Sequence, residues 1–311
     1  MPYFSVIIPL YNKSKYIKKT LQSVLNQNFL DFEIIVVDDG STDNSLAIVK
    51  QFEDRRLKIY KQENKGVSAA RNKGISNAKG AYLALIDADD LWYSNHLTEL
   101  KHQIIQFPDA GLYCNNYEIY LGDNTKRNAQ FNFNYNTDCL LVKDYFRASI
   151  INSVAWTSAV AFTKEKFNAV DGFNVNLDTS EDLDLWIKLA LRYTVSFNPC
   201  LTMSYRYYIH DSLTKEETNL IRLHFINSYE AEEEKNDALK HYLDINRYAL
   251  AIRCKVLKEL DVYKTAKQQI LFSNLNFKQK LLINSPRAIL MVFKKVHSAL
   301  IKNDIYLSAF K

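Results

Sequence analysis

Through its first 115 residues the chain alternates short β-branched runs with helix-period segments. The runs are Phe4–Ile8, Glu33–Val37, Leu57–Tyr60, Ala81–Ile86 and Gly111–Cys114. Between them, Ile17, Leu21, Val24 and Leu25 share one helix face, as do Leu46, Val49 and Phe52, and Leu97, Leu100, Ile104 and Ile105. Ser41-Thr42-Asp43 supplies a start signal for the second of these helices, and Ser94 or Asn95 one for the helix of Leu97 and Leu100. Strand–helix–strand alternation predicts an α/β fold, a mostly parallel sheet flanked by helices on both faces.

The rest of the chain has a different texture. Residues 120–137 are rich in Asn, Asp and Gly and predict a surface loop. Ordered structure resumes from Ser153 to Phe162, and Leu185, Leu189 and Arg192 carry a helix over 182–193. From Lys215 onward the pattern is helical with long charged faces. The expected division is therefore an α/β domain over 1–214, itself split near 115 into halves 1–115 and 116–214, and a helical C-terminal accessory region over 215–311.

Composition narrows the classes. A net charge of +5 suits an anionic ligand or an anionic membrane surface. It is too small to argue for nucleic acid, and no nucleic-acid-binding signature accompanies it. Cys114, Cys139, Cys200 and Cys254 stand alone, with no CxxC pair and no flanking His cluster. They are expected to be reduced thiols in a cytoplasmic protein rather than disulfides or zinc ligands. The strand pattern begins at once, from Phe4, so no signal peptide is expected, and no apolar run approaches the ~20 residues of a membrane span.

In an open α/β sheet, ligands bind outside the carboxyl ends of the strands. The polar residues that follow these strands are Tyr11-Asn12, Asp38-Asp39-Gly40-Ser41, Asn64-Lys65-Gly66 and Asp87-Ala88-Asp89-Asp90. Three acids within four residues after a buried strand are costly without a cation, so Asp87 and Asp89 point to a hard divalent ion such as manganese or magnesium. Capping of a following helix is the competing role for Asp89 and Asp90. Asp38 and Asp39 suit either a base N–H or ribose hydroxyl, or a tight turn. Arg71 lies among small residues, where a cation approaches a ligand closely or lines a solvated face. Glu181 and Asp182 open a helix, where acids favour the dipole and where a general base can also sit. Arg206 and His210 place a cation and an imidazole after another apolar segment, where either can neutralise a leaving diphosphate and His210 can serve as a third metal ligand beside Asp87 and Asp89, a lone His being otherwise structural.

Taken in order, these pieces resemble the family-two glycosyltransferases, inverting enzymes of the GT-A fold. The matching segments are Ser5-Val6-Ile7-Ile8-Pro9-Leu10-Tyr11-Asn12, Val37-Asp38-Asp39-Gly40-Ser41-Thr42-Asp43, Asn64 and Gly66 with Ala69-Ala70-Arg71-Asn72 and Gly74, and Asp87-Ala88-Asp89-Asp90. Gly172-Phe173, Ser180-Glu181-Asp182-Leu183-Asp184-Leu185-Trp186 and Tyr205-Arg206 with His210 follow. The resemblance covers roughly residues 3–212 and keeps both spacing and order.

The resemblance implies a GT-A (Rossmann-like) sheet, with 1–115 as the nucleotide-binding half and 116–214 as the acceptor side. It implies sugar transfer from a nucleotide-sugar, expected to be UDP-linked, to a glycan or lipid-linked glycan acceptor in cell-surface polysaccharide synthesis. Pro9, Tyr11, Asp39 and Arg71 match nucleotide-contacting positions, with Asp39 reading the base. Asp87 and Asp89 match the metal-and-ribose motif, with Asp89 favoured as the direct ligand of Mn2+ or Mg2+. Asp182 matches the general base, Glu181 stands beside it at the substrate, and Arg206 and His210 match a late motif near the diphosphate. The last segment reads His210-Asp211-Ser212-Leu213 and lacks a glycine often found there. A non-catalytic nucleotide-sugar binder is the competing class, and it would have no need of Asp182. From Pro286 onward five cations face Asp304 alone and flank an apolar run, so the C-terminal helices are expected either to touch a membrane surface peripherally or to pack on the enzyme itself.

Overall fold

The computed structural model describes residues 1–122, 125–207 and 219–301. Its strands are β1 (Phe4–Leu10), β2 (Phe32–Asp39), β3 (Leu57–Gln62), β4 (Tyr82–Leu85), β5 (Leu91–Trp92), β6 (Leu112–Gly122), β7 (Thr125–Asn128), β8 (Leu140–Val142), β9 (Val160–Thr163) and β10 (Val195–Arg206). Its α-helices are α1 (Ile17–Leu25), α2 (Ser45–Val49), α3 (Val67–Ser76), α4 (His96–Gln106), α5 (Tyr145–Ala148), α6 (Lys164–Asn168) and α7 (Glu181–Arg192). They continue with α8 (Asn219–Asn227), α9 (Glu230–Glu233), α10 (Asp237–Leu257), α11 (Leu260–Gln268), α12 (Phe277–Asn284) and α13 (Arg287–Ile301). Two compact units result. Of the described residues, one holds those within 1–129, 133–145 and 154–207, and the other those within 130–132, 146–153 and 219–301.

The first unit is built on one mixed sheet in the order β3-β2-β1-β4-β9-β6-β10-β5, with β7 on β6 and β8 on β10. β3, β2, β1 and β4 pair parallel, and β6 pairs parallel with β10. β9 is antiparallel to both β4 and β6, so these two neighbours run the same way. All eight residues of β2 are buried, as a strand covered on both faces requires. Besides the two acids at its end, β2 buries Glu33, which is satisfied by Ser5 Oγ, Lys58 Nζ and the Lys79 N–H. α3 packs tightly over β1: a Cβ on Gly74 would lie 2.6 Å from Ile7 Cγ2.

The expected surface loop at 120–137 is partly a strand. β6 runs on to Gly122, and Thr125–Asn128 return beside it as β7. Its sequence, Thr-Lys-Arg-Asn, lacks the apolar alternation that marks a half-buried strand, because β7 pairs through its backbone at the sheet margin.

α4 contributes a histidine with a pH consequence. His96 is fully buried, stacks on Trp92 at 4.1 Å between ring centroids, and places Nδ1 2.8 Å from Thr202 Oγ1. Burial pushes its pKa down to about 3. The unfolded chain binds a proton near pH 6.5 that the folded chain refuses, so this stabilisation is present above pH 6.5 and is lost as pH falls toward 3. Denaturant titrations are expected to show a loss on the order of 2 kcal/mol between pH 7 and 5 from this residue. His96→Gln should remove that slope, and an unchanged slope would refute the assignment.

The second unit is helical. α10 buries Leu239, Leu243, Leu250, Ala251 and Cys254 and carries Arg247, whose guanidinium meets Glu233 at 2.7 Å and Asp244 at 3.1 Å. Asn236 caps α10, and Asn276 with Gln279 forms a capping box on α12. On α13, Leu290 is buried while Ile289, Val292, Phe293 and Val296 are exposed. Among the described residues no helix is long and apolar enough to cross a membrane.

Candidate active site

The carboxyl ends of β1, β2, β4 and β10 lie along one edge of the sheet, and the expected site residues gather there. Pro9 pairs opposite Val37 at the end of β1, and Tyr11 just beyond it is exposed. Asn12 turns the chain with φ 49° and accepts the Thr42 N–H at 2.8 Å on its Oδ1. At the end of β2, Asp39 is buried and accepts three donors: Gln62 Nε2 at 2.7 Å and Lys65 N–H at 2.9 Å on Oδ1, and Gly66 N–H at 2.9 Å on Oδ2. Gly66 sits at φ 86° before α3, a conformation that favours glycine. Asp39 therefore organises the entrance to α3, and it keeps lone-pair capacity for a further donor.

Arg71 is not on a solvated face. Its guanidinium is buried, with Nη2 2.8 Å from Asp87 Oδ1, Nη1 2.6 Å from Glu181 Oε1, and the ring of Phe173 at 5.2 Å. Burial works against its charge, yet Asp87 and Glu181 hold the guanidinium more firmly protonated than usual. Asn72 next to it donates to the Phe173 carbonyl at 2.8 Å and accepts the Phe173 N–H at 3.2 Å, which seats the Gly172-Phe173 turn against α3.

The expectation that Asp87 and Asp89 crowd together unpaired is corrected. Asp87 has Arg71, and Asp89 Oδ2 lies 2.7 Å from Lys13 Nζ. Burial and the nearby Asp87 charge still raise the Asp89 pKa, with Lys13 opposing them. Asp90 is raised well above the ordinary range by burial and by both neighbouring acids. It accepts Ser158 Oγ–H at 2.6 Å and the backbone N–H of Arg206 at 3.1 Å. α1 braces the same loop, since Thr20 Oγ1 reaches the carbonyls of Ala88 and Asp90. The Arg206 guanidinium stands 5.7 Å over the ring of Tyr16, and His210 lies outside the described residues.

Asp182 is only partly buried. Its Oδ2 accepts Thr157 Oγ1–H at 3.1 Å and its Oδ1 accepts the Leu183 N–H at 2.7 Å. Glu181 is buried, and burial followed by repulsion from Asp182 pushes its pKa up to about 7 against the pull of Arg71. Within one helix turn the two acids thus differ. Glu181 is locked into an ion pair, while Asp182 is oriented and accessible.

Among the described residues, no group of three His, Cys, Asp or Glu side chains is arranged to hold an ion by itself. The donors that are present fit a hard divalent cation shared with a ligand. Asp87 and Asp89 offer carboxylate oxygens, and the Lys13 ammonium on Asp89 occupies a place that an incoming cation would take. Lys13, Asn72, Thr157 and Ser158 were not among the residues expected from sequence. Lys13 directly follows the Tyr11-Asn12 segment and was within reach of that reading, whereas nothing local marks Thr157 or Ser158.

A mixed, mostly parallel sheet flanked by helices, with acids collected at its strand ends, is an architecture of the GT-A type. The chain belongs to the family described as Glycosyl transferase family 2, whose model matches residues 5–169. It is similar to an uncharacterized glycosyltransferase of Rickettsia bellii, 29% identical over 259 residues, covering 80% of this chain and 37% of that protein. It is also similar to chondroitin synthase of Escherichia coli, 29% identical over 192 residues, covering 61% of this chain and 27% of that protein. The chain thus spans well under half the length of either relative. The crystal structure of S. aureus TarS 1-349 in complex with UDP-GlcNAc shares the fold, with a TM-score of 0.70 at 19% identity, covering 98% of this chain and 93% of that one.

Proposed function

We propose that this chain transfers a sugar from a UDP-linked donor to an acceptor hydroxyl with inversion at the anomeric carbon. The observation that carries the reading is Asp182, a partly exposed carboxylate aimed by Thr157 beside the Glu181–Arg71–Asp87 chain of ion pairs. Asp39 receives the base and Asp87 the ribose, and Arg206 lies toward the diphosphate. Asp182 takes the proton of the acceptor hydroxyl as it attacks, while the leaving diphosphate gathers negative charge near Lys13 and Arg206. A bound manganese or magnesium ion, held through Asp89 and Asp87, supplies further stabilisation of that charge. The relationship to chondroitin synthase supports a glycan or lipid-linked glycan acceptor in polysaccharide synthesis.

A thermal-shift panel of nucleotide-sugars with and without manganese tests the donor side. A UDP-sugar at about 100 times its Kd is expected to stabilise the protein by about 2.7 kcal/mol. Asp89→Ala should abolish the manganese-dependent part of that shift while the protein stays folded. Turnover undiminished in excess chelator would remove the metal from the proposal, and no response to any nucleotide-sugar would remove the donor.

A further inference from the structure

The direction of β9 brings two residues to the site that no acidic motif announces. The neighbouring strands β4, β6 and β10 end at the functional edge, but β9 runs the opposite way and begins there. Thr157–Ala159 form a single 3-10 turn leading into β9, and Thr157 and Ser158 are both buried. Ser158 Oγ accepts the backbone N–H of Asp87 at 3.0 Å and donates to Asp90 Oδ2 at 2.6 Å. Its carbonyl accepts Trp92 Nε1 at 2.6 Å, which anchors the turn. The adjacent Thr157 donates instead to Asp182 Oδ2 on α7.

We infer that Thr157 and Ser158 are positioning residues with separate tasks, Thr157 aiming the Asp182 carboxylate at the acceptor and Ser158 setting the Asp87–Asp90 loop that receives the donor. This rests on the transfer reading above. One dipeptide fixes the base relative to the donor-binding acids, because adjacent side chains on a short anchored turn cannot move far apart. A carboxylate that rotates freely presents its basic oxygen to the acceptor only part of the time. Thr157 holds one oxygen by a single lone pair and leaves the remaining lone pair of Oδ2 for the incoming hydroxyl.

The two tasks separate in kinetics. Thr157→Val keeps the shape and removes the donated hydrogen bond. It is expected to lower kcat about 10- to 30-fold, the effect of one hydrogen bond to a charged group, with UDP affinity within about twofold of wild type. Thr157→Ser restores the hydroxyl and should recover kcat to within about threefold. Ser158→Ala is expected to weaken UDP binding by about tenfold in calorimetry while kcat at saturating donor changes less than about threefold. Thr157→Val placed on Asp182→Asn should cause no further loss, because residues acting as a unit are non-additive.

Unchanged kcat in Thr157→Val overturns the inference, as does a full multiplicative loss in the double variant. If Ser158→Ala does not fold, the Thr157 variants and the double variant decide by themselves. Asp182→Asn measured alongside separates the two levels. Retained turnover in Asp182→Asn removes the base assignment and this inference together, whereas lost turnover there with unaffected Thr157→Val removes the inference alone.

Discussion

Arg71→Met is expected to destabilise the α/β unit by about 3–5 kcal/mol, the range for breaking a buried ion pair from one side. For a unit of this size that corresponds to a fall in Tm of roughly 10 °C or more. The guanidinium is buried between Glu181 Oε1 and Asp87 Oδ1, and methionine fills much of its length but leaves Glu181 buried without a partner. The loss carries a pH signature. Glu181 is already pushed up to about 7 by burial and by Asp182, and removing Arg71 takes away the charge that opposes this rise. A carboxyl whose folded pKa lies above its unfolded value is most stable below the unfolded pKa and loses that stability as pH rises. The deficit of Arg71→Met should therefore be smaller at pH 5 than at pH 8. Adding Glu181→Gln should recover part of it at pH 8, since the uncompensated charge is then gone. Denaturant melts of the single and double variants at both pH values test this. A deficit under about 1 kcal/mol with no pH dependence would show that the ion-pair chain does not hold the site together.

The parts of this architecture that sequence reveals are those made by local pattern. β1, β2 and β4 are apolar runs buried on both faces, and the acids that end β2 and β4 follow them directly, so strand and site were legible together. α7 was legible from Leu185 and Leu189, which are fully buried. What was not legible depends on chain direction and on contacts distant in sequence. The sense in which β9 runs is decided by its pairing with β4 and β6, not by its own residues, and it alone brings Ser158 to Asp87 across 71 positions. Arg71 reads locally as a cation on a small-residue helix, and its burial is offset by Asp87 and by Glu181, 110 positions away. The same holds for the Asp87–Asp89 pair. Its crowding was visible in sequence, but relief by Lys13 and Arg71 was not, because Lys13 arrives from the segment after β1 and Arg71 from α3. Asp39 shows the converse. Both roles weighed from sequence, ligand contact and turn-making, are compatible with a carboxylate that already accepts three donors and keeps room for another.

The sharpest expected result concerns Asp182→Asn. A hydroxyl is a poor nucleophile until its proton is taken, and general-base catalysis contributes typically ~10²–10⁴-fold. Asparagine keeps the size of the side chain, and its amide oxygen can still accept from Thr157 Oγ1 or Leu183 N–H, the two donors that orient the acid. It cannot accept the acceptor's proton. The variant should therefore bind UDP with manganese nearly as wild type does, while transfer falls by about two to four orders of magnitude. Asp184→Asn is the matched control on the same helix, because Asp184 pairs with Lys188 at 2.7 Å rather than with Thr157. It should cost stability without a comparable loss of rate. Calorimetric binding and single-turnover transfer, measured on the same preparations, separate binding from chemistry. A protein that only binds nucleotide-sugars would show no transfer in any variant and no distinction between these two acids. If Asp182→Asn instead weakens binding and spares the rate of bound donor, Asp182 is an acid that stabilises the start of α7. The base would then be sought at Glu181, whose raised pKa suits proton transfer near neutrality but whose Oε1 would first have to leave Arg71.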